Sequence, residues 1–381
     1  MFVGQSKSLK NDSEKLILND SFKLVPKNEK ETHLITGGLG HIGSYIVEHL
    51  AETRKKCRIV VVDNLYNGKI ENIKEAKKKA SKRSNEITHI NEDIADYDYI
   101  DDIFEEYKPQ FVYHQASMLT QDTREFRLKG FQVNTSGFTN VIELCKRYSV
   151  HKLVYASSAS VYGNPEIVPT KEDHHFNNCK LLYGATKIAN EFIARSYADQ
   201  VGLRVIGLRY FNVYGSRQST ANVYTQIVPK WINEMLSGNV PPIIEIYGDG
   251  SQTMDMIHGK DVGRLNVLAM RKDLQAGTMF QDKHPGLHTT TYEREFDGFL
   301  NIGSGIQTSV LELYAVIKEE LELQTDMEIN ALQLFQKHDP ALVKERQADT
   351  HLMHKLLGKH SIDVRKGISM TIKDILKTRR K

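Results

Sequence analysis

His33-Leu34-Ile35-Thr36-Gly37-Gly38-Leu39-Gly40-His41-Ile42-Gly43 decides the fold. A β-branched run enters a glycine turn, and an amphipathic stretch from Ser44 to Thr53 leaves it. In that strand–turn–helix setting the glycine pattern reads as a dinucleotide cradle. Gly37 allows the tight turn, Gly40 lets the backbone approach a pyrophosphate, and Gly43 lets helix and strand pack closely. The helix amino end then presents free N–H groups to phosphate oxygens. Asp63 closes the next run, Arg58 to Val62, twenty residues after Gly43. A carboxylate there accepts hydrogen bonds from both adenosine ribose hydroxyls and repels a 2′-phosphate, which favours NAD over NADP. A ligand-free tight turn is the alternative for the glycines alone, and Asp63 weighs against it.

Outward from the turn, short apolar runs alternate with helical patterns. Ile87 to Ile90 ends near Asp93, and Phe111 to His114, Lys152 to Ala156 and Leu203 to Leu208 follow. Helical spacing fills the gaps, notably from Gly137 to Tyr148 and from Thr186 to Gln200. This alternation predicts an α/β, Rossmann-type doubly wound parallel sheet over residues 31–209. After Arg209 the strands shorten and Gly, Pro, Asn and Ser become denser. Residues 210–381 are expected to form mainly a smaller C-terminal substrate-binding lobe, with 251–275 returning to the sheet domain. Within it the expectation is helices over Val223 to Leu236, Gly259 to Met270 and Ser309 to Leu321. Strands are expected at Ile243 to Tyr247 and Leu300 to Ile302, with a long polar loop over 272–298. A final helix is expected around Thr350 to Leu357. Residues 1–30 are polar and mixed in charge, unlike a signal or transit peptide, and read as a flexible arm.

Composition narrows the class. The chain has 381 residues, 40% hydrophobic and 26% charged, as in ordinary soluble domains. A net charge of +3 is too small to imply a nucleic-acid partner, and the run Lys74 to Arg83 reads as a solvated helix face. No apolar run approaches the roughly 18 residues that would cross a bilayer. Three widely spaced cysteines, Cys57, Cys145 and Cys179, argue against a disulfide framework or zinc site and favour a reducing, cytoplasmic setting. Cys145 reads as core, and nothing marks Cys179 as a nucleophile. His351 and His354, like His284 and His288, lack neighbouring carboxylate or thiolate ligands in the sequence and read as surface histidines. No metal site is expected.

Tyr183-Gly184-Ala185-Thr186-Lys187 carries the chemistry. Residues four apart share a helix face. An ammonium near a phenol favours the phenolate and lowers its pKa, giving a general base for a sugar hydroxyl. Ser158, in Tyr155-Ala156-Ser157-Ser158-Ala159-Ser160-Val161-Tyr162-Gly163, supplies a hydroxyl upstream.

These segments together resemble the extended short-chain dehydrogenase/reductase family, in its NAD-dependent sugar epimerase/dehydratase branch. The likeness spans residues 32–359. It also rests on Val61-Val62-Asp63-Asn64, Glu92-Asp93-Ile94, His114-Gln115-Ala116 and Asn134-Thr135-Ser136-Gly137. Leu208-Arg209-Tyr210-Phe211-Asn212-Val213-Tyr214-Gly215, Tyr247-Gly248-Asp249-Gly250 and Ala348-Asp349-Thr350 complete it. The resemblance implies that Tyr183 is the acid/base, that Lys187 holds the nicotinamide ribose, and that Ser158 bonds the reacting oxygen. It assigns cofactor contacts to Gly37, Gly40, His41, Ile42, Gly43, Asp63, Asn64, Asn67 and Gly68. Asp93, Ile94, Gln115, Ala116, Ser117, Asn134, Tyr210 and Val213 join them, with Tyr183 and Lys187. Substrate contacts fall to Met118, Ser158, Asn212, Arg217 and Arg346; core packing is the alternative for Met118, and surface or lobe packing for the arginines. Hydride would leave the sugar for NAD and return to the other face of a transient keto sugar.

Dehydratases of this family resemble one another in placing Asp-Glu after the catalytic Ser/Thr, and the decarboxylases carry a glutamate at the second position. Here the two positions are Ala159 and Ser160. The segment is similar to that of the UDP-glucose 4-epimerase-type enzymes, so C4 epimerisation of a nucleotide sugar is the leading expectation. A dehydrogenase, reductase or dehydratase of the family is the alternative. A non-catalytic NAD-binding sensor or assembly protein is the alternative of another class, although both Tyr183 and Lys187 are retained. Met254, and the pair Asp339-Pro340, stand where related epimerases place diphosphate-binding arginines. A homodimer through the helices near 137–148 and 186–200 is what the family implies. Trp231 and Tyr224 read as lobe packing.

Overall fold

Thr32–Thr36 (β1) is buried along its whole length, as a strand covered on both faces must be. In the computed structural model, which describes residues 30–176, 179–219, 227–284, 287–337 and 343–379, it sits inside a seven-stranded parallel sheet. Arg58–Val62 (β2), Glu86–Ile90 (β3), Phe111–His114 (β4), Lys152–Ser158 (β5) and Val205–Tyr210 (β6) alternate with helices. The helices are His41–Thr53 (α1), Lys74–Ser81 (α2), Tyr97–Tyr107 (α3), Thr120–Glu125 (α4), Arg127–Phe131 (α5), Gly137–Arg147 (α6) and Leu182–Val201 (α7).

Period-two alternation divides the core. Ile35, Val61, Tyr113, Val154 and Ile206 face α1. Leu34, Val60, Val112, Leu153 and Val205 face α3, α6 and α7. β4 and β2 flank β1, so the strand order reverses there and opens a crevice at the carboxyl ends of the strands.

The second half begins with Asn212–Tyr214 (β7), Ile227–Met235 (α8), Ile243–Tyr247 (β8), Thr253–His258 (β9) and Gly259–Arg271 (α9). Met279–His284 (β10) and Leu287–Glu295 (β11) pair antiparallel. Phe299–Ile302 (β12) adds the seventh strand beside β6. Gln307–Ser309 (β13), Val310–Thr325 (α10), Leu332–Gln336 (β14), His351–Leu357 (α11) and Val364–Arg379 (α12) complete the described chain. α9 returns to the sheet: Lys152 Nζ of β5 reaches its carboxyl end, donating to Ala269 O at 2.9 Å and Lys272 O at 2.8 Å.

Two expectations are corrected. The polar stretch 272–298 is largely a hairpin, because its Thr and Tyr residues suit a pleated ribbon as well as a loop. The chain also continues past Leu357 into α12, whose Ile368 and Ile372 close the lobe core with Trp231, Ile244 and Leu313. Residues 1–29, Tyr224 and Asp339-Pro340 lie outside the described residues.

One buried ion pair joins three elements beneath the crevice. Arg209 on β6 donates from Nε and Nη2 to the two oxygens of Glu191 on α7, each at 2.8 Å. Ser157 on β5 donates to Glu191 Oε1 at 2.6 Å. Arg209 Nη1 also donates to the Tyr162 hydroxyl at 2.8 Å and to Glu172 O at 2.7 Å. Removing one partner of such a pair strands a buried charge and costs about 3–5 kcal/mol. Arg209→Met is therefore expected to lower unfolding free energy by roughly that amount in urea titrations, and pairing it with Glu191→Leu to recover part of the loss. A wild-type midpoint for the single variant would refute the coupling.

Candidate active site

The first glycine shows why no other residue suits the turn. Gly37 has φ +65°, and a Cβ there would lie 2.6 Å from Ala116 N. α1 begins at Gly40 without a side-chain cap, so its first N–H groups remain available to an anion. Asp63 at the end of β2 orders the floor of the site: Oδ2 accepts Leu39 N and Oδ1 accepts Leu65 N, both at 2.9 Å. Each oxygen keeps a second lone pair for a ribose hydroxyl. An uncapped helix end beside a carboxylate is the donor and acceptor set that the pyrophosphate and ribose of a dinucleotide require, so the residues fit NAD.

The crevice widens into a cavity of about 470 Å³ between sheet and lobe. Gly40, His41, Ile42, Gly43, Asn64, Asn67, Gly68, Asp93 and Ile94 line its cofactor end. Gln115, Ala116, Ser117, Met118, Ser158, Tyr183, Tyr210, Asn212, Val213 and Arg346 line the rest. His41 is held neutral: burial and the nearby His258 push its pKa down to about 3. Asn212, which lines the cavity, has a buried Oδ1 without a hydrogen-bond partner among the described residues.

Ser158 ends β5, where its Oγ accepts Ser160 N at 3.1 Å and starts a turn over Ala159–Tyr162. Tyr183 lies in the first turn of α7, opposite it. Burial raises the Tyr183 pKa; the Ser158 hydroxyl and the charge of Arg346 pull it back down. Lys187 Nζ sits 5.5 Å from the Tyr183 ring centroid but donates to Ala156 O at 3.0 Å. Desolvation lowers its own pKa to about 8, against the opposing charge of Glu191. Lys187 thus stays near the phenol while a backbone carbonyl engages it, and Ser158 and Arg346 add their own pull on the Tyr183 pKa.

Two further assignments change. Asn134 is buried off the cavity in a π-type turn over Gln132–Ser136. Its Oδ1 accepts Met118 N at 2.7 Å and Ser117 Oγ at 3.1 Å, and its Nδ2 donates to Met118 O at 3.0 Å. It positions the β4 loop and makes no wall of the cavity. Arg217 points away from the cavity: its guanidinium stacks 4.1 Å over the Tyr45 ring and pairs with Glu48 of α1. That fastens the lobe to the sheet domain and leaves no clamp for substrate.

Sequence reading missed a wall of the lobe. Lys230, Tyr247, Gln252 and Met254 line the cavity. So does Trp231, which also packs edge-on to Tyr314 at 6.0 Å, as its apolar helical spacing predicts. The motif at Tyr247-Gly248 and the place of Met254, where related epimerases carry an arginine, gave a signal; nothing in the sequence marked Lys230 or Gln252.

A doubly wound dinucleotide-binding fold, with Ser158 and Tyr183 at the mouth of its switch point, defines a nucleotide-dependent acid–base enzyme class. A profile of the NAD dependent epimerase/dehydratase family matches residues 33–281. A putative UDP-glucose 4-epimerase of Methanocaldococcus jannaschii is 30% identical over 341 residues, 89% of this chain and 96% of its own. The UDP-glucose 4-epimerase of Dictyostelium discoideum is 30% identical over 300 residues, 75% of this chain and 80% of its own. Among solved structures, a UDP-N-acetylglucosamine 4-epimerase from Methanobrevibacter ruminantium, in complex with UDP-N-acetylmuramic acid, superposes with TM-score 0.75. It is 27% identical, with 92% of this chain and 99% of that one covered. The chain belongs to the NAD-dependent epimerase/dehydratase family.

Ser158→Ala removes a donor that favours the phenolate, so Tyr183 ionises less readily. The rising limb of kcat against pH is expected to move to higher pH in that variant, as stopped-assay profiles would record. An unmoved limb would remove Ser158 from the tuning of Tyr183.

Proposed function

We propose that this protein epimerises a nucleotide sugar at C4 with NAD as a resident cofactor. The observation that carries the reading is the approach of Ser158 to the Tyr183 phenol in one cavity with the Gly37 cradle. Bound NAD supplies the means to oxidise the C4 carbinol and to reduce it again from the other face. Gly37, the α1 amino end and Asp63 would hold its pyrophosphate and adenosine ribose, and Lys187 lies beneath Tyr183 where the nicotinamide ribose would approach.

Tyr183 takes the 4-hydroxyl proton and later returns it. Ser158 holds the same oxygen and lowers the cost of the phenolate. Asn212 Oδ1 offers an acceptor to a substrate hydroxyl. Ala159 and Ser160 follow the catalytic serine, so the site lacks carboxylates to eliminate water or steer decarboxylation of the keto sugar. The keto sugar is therefore left to be reduced, and inversion requires that it turn over within the cavity. Met254, a cavity residue in place of a clamping arginine, is in keeping with such a turn.

The apolar surface of the second helical layer supports a homodimer. Leu128 and Phe131 on α5, which runs through the π-type turn into α6, are exposed, as is Phe192 on α7. A second copy covering that stripe would bury it, and light scattering at the dimer mass is the expected result. No described helix is long and apolar enough to cross a membrane. The three cysteines are free, which suits a cytoplasmic setting.

Purified protein is expected to carry NAD, released on denaturation and identified by mass spectrometry. Tyr183→Phe is expected to keep fold and cofactor while losing about 10²–10⁴-fold in kcat for C4 interconversion of UDP-sugars. Full turnover by that variant would overturn the assignment of the base.

A further inference from the structure

Arg346 is a cation that lines the cavity with Ser158 and Tyr183 and has no carboxylate partner among the described residues. Its backbone is clamped from two sides. Arg346 N donates to Thr253 O of β9 at 3.2 Å. Thr170 N donates to Gln347 O, and Asp349 N to Thr170 O, both at 2.8 Å. Ala348 N donates to the buried carboxylate of Asp255 at 2.9 Å. The side chain lines the cavity with Ser158 and Tyr183. Its charge is felt by the Tyr183 phenol and the Cys179 thiol, and burial lowers its own pKa.

No carboxylate among the described residues bonds its guanidinium. Of the acidic side chains lining the cavity, Asp63, Glu92 and Asp93 lie at the cofactor end, and Glu245 is paired with Lys230 at 2.8 Å. A partly buried guanidinium without an anion is costly to hold, and its planar fork fits a carboxylate with two parallel hydrogen bonds. With no carboxylate among the described residues to meet it, the guanidinium is open to an anion carried by the ligand.

The position of Arg346 restricts which anion that is. In a nucleotide sugar the diphosphate hangs from C1, across the ring from C4. Tyr183 acts at the C4 hydroxyl, and Arg346 lines the same cavity with Ser158 and Tyr183, which brings the substituents on the neighbouring carbons, C3 and C5, within its reach. We propose that Arg346 selects nucleotide sugars bearing a carboxylate next to the reacting C4, either as the C6 carboxylate on C5 or as a carboxyalkyl ether on O3. This rests on the C4-epimerase reading for the placement of the sugar. Arg346 is then a specificity residue, and the carboxylate completes an ion pair that the protein leaves half-built.

The test measures binding as well as turnover. Dissociation constants of UDP-glucuronate, UDP-N-acetylmuramate, UDP-glucose and UDP-N-acetylglucosamine are determined by calorimetry for the NAD-loaded protein and for Arg346→Gln and Arg346→Lys. At least one carboxylated sugar is expected to bind about 30-fold or more tighter than its neutral counterpart. Arg346→Gln is expected to abolish that ratio and Arg346→Lys to restore part of it. Preference for the uronate alone places the carboxylate on C5, and for the muramate alone on O3. Equal affinities in wild type would overturn the proposal, as would an equal loss for all four sugars in Arg346→Gln, which would make the arginine a diphosphate clamp. If Arg346→Gln melts early or loses NAD, the wild-type ratios decide. The same sugars incubated with wild type and analysed by NMR at C4 report separately on the epimerase reading. A retained binding preference without interconversion would sink that reading and leave the anion pocket standing.

Discussion

The ion pair between Arg209 and Glu191 is the constraint on which the site depends. Two charges sealed from water carry a desolvation cost of several kcal/mol each, offset only when geometry and additional hydrogen bonds are good. Here the contact is bidentate, and Ser157, Tyr162 and the Glu172 carbonyl engage further donors and acceptors of the pair. The pair fixes the depth of α7 against β5 and β6. Tyr183, Lys187 and Glu191 recur every four residues on α7, so anchoring Glu191 sets the height of Tyr183 above the end of β5 where Ser158 stands. Gly184 allows the same approach from the other side: a side chain there would collide with Cys179 and with the carbonyl of Ser160.

Electrostatics in the cavity follow from burial. A phenol taken out of water resists ionisation, and the raised pKa of Tyr183 reflects that resistance. The groups that oppose it come from two places in the chain: Ser158 from a strand end and Arg346 from a late crossover segment. The base is tuned by the packing of sheet, helix and lobe together. The same segment that carries Arg346 is held by Asp255, whose carboxylate also receives Ser304 Oγ at 2.7 Å and Gly305 N at 2.9 Å. A substitution far from the chemistry, such as at Asp255, acts by moving that arginine.

Some features were legible because a short stretch contains their whole cause. The Gly37 turn, Asp63 and the Tyr183–Lys187 spacing are local patterns, and each lies along the crevice or just beneath it. The direction of a long side chain is set by neighbours remote in sequence. Arg217 could reach substrate or turn back, and Glu48 and the Tyr45 face decided that it turns back. The family resemblance made Asn134 a cofactor contact, yet its amide holds Ser117 and Met118. The α12 helix repeats apolar residues at Ile368, Ile372 and Ile375, a helical period that is present in the sequence itself. The β10–β11 hairpin offered only polar β-formers, which a loop also uses.

The sequence by itself determined the strand–helix alternation and the dinucleotide cradle, because periodicity and glycine spacing act over a few residues, and the family through the likeness of its ordered motifs. Tertiary structure alone decided which charges share a cavity. Arg346 follows Tyr183 by more than 160 positions, and Coulomb energy depends on distance through space rather than along the chain. Whether an arginine clamps a lobe, as Arg217 does, or awaits an anion, as Arg346 does, is settled only when the chain folds and some carboxylates come within reach while others do not.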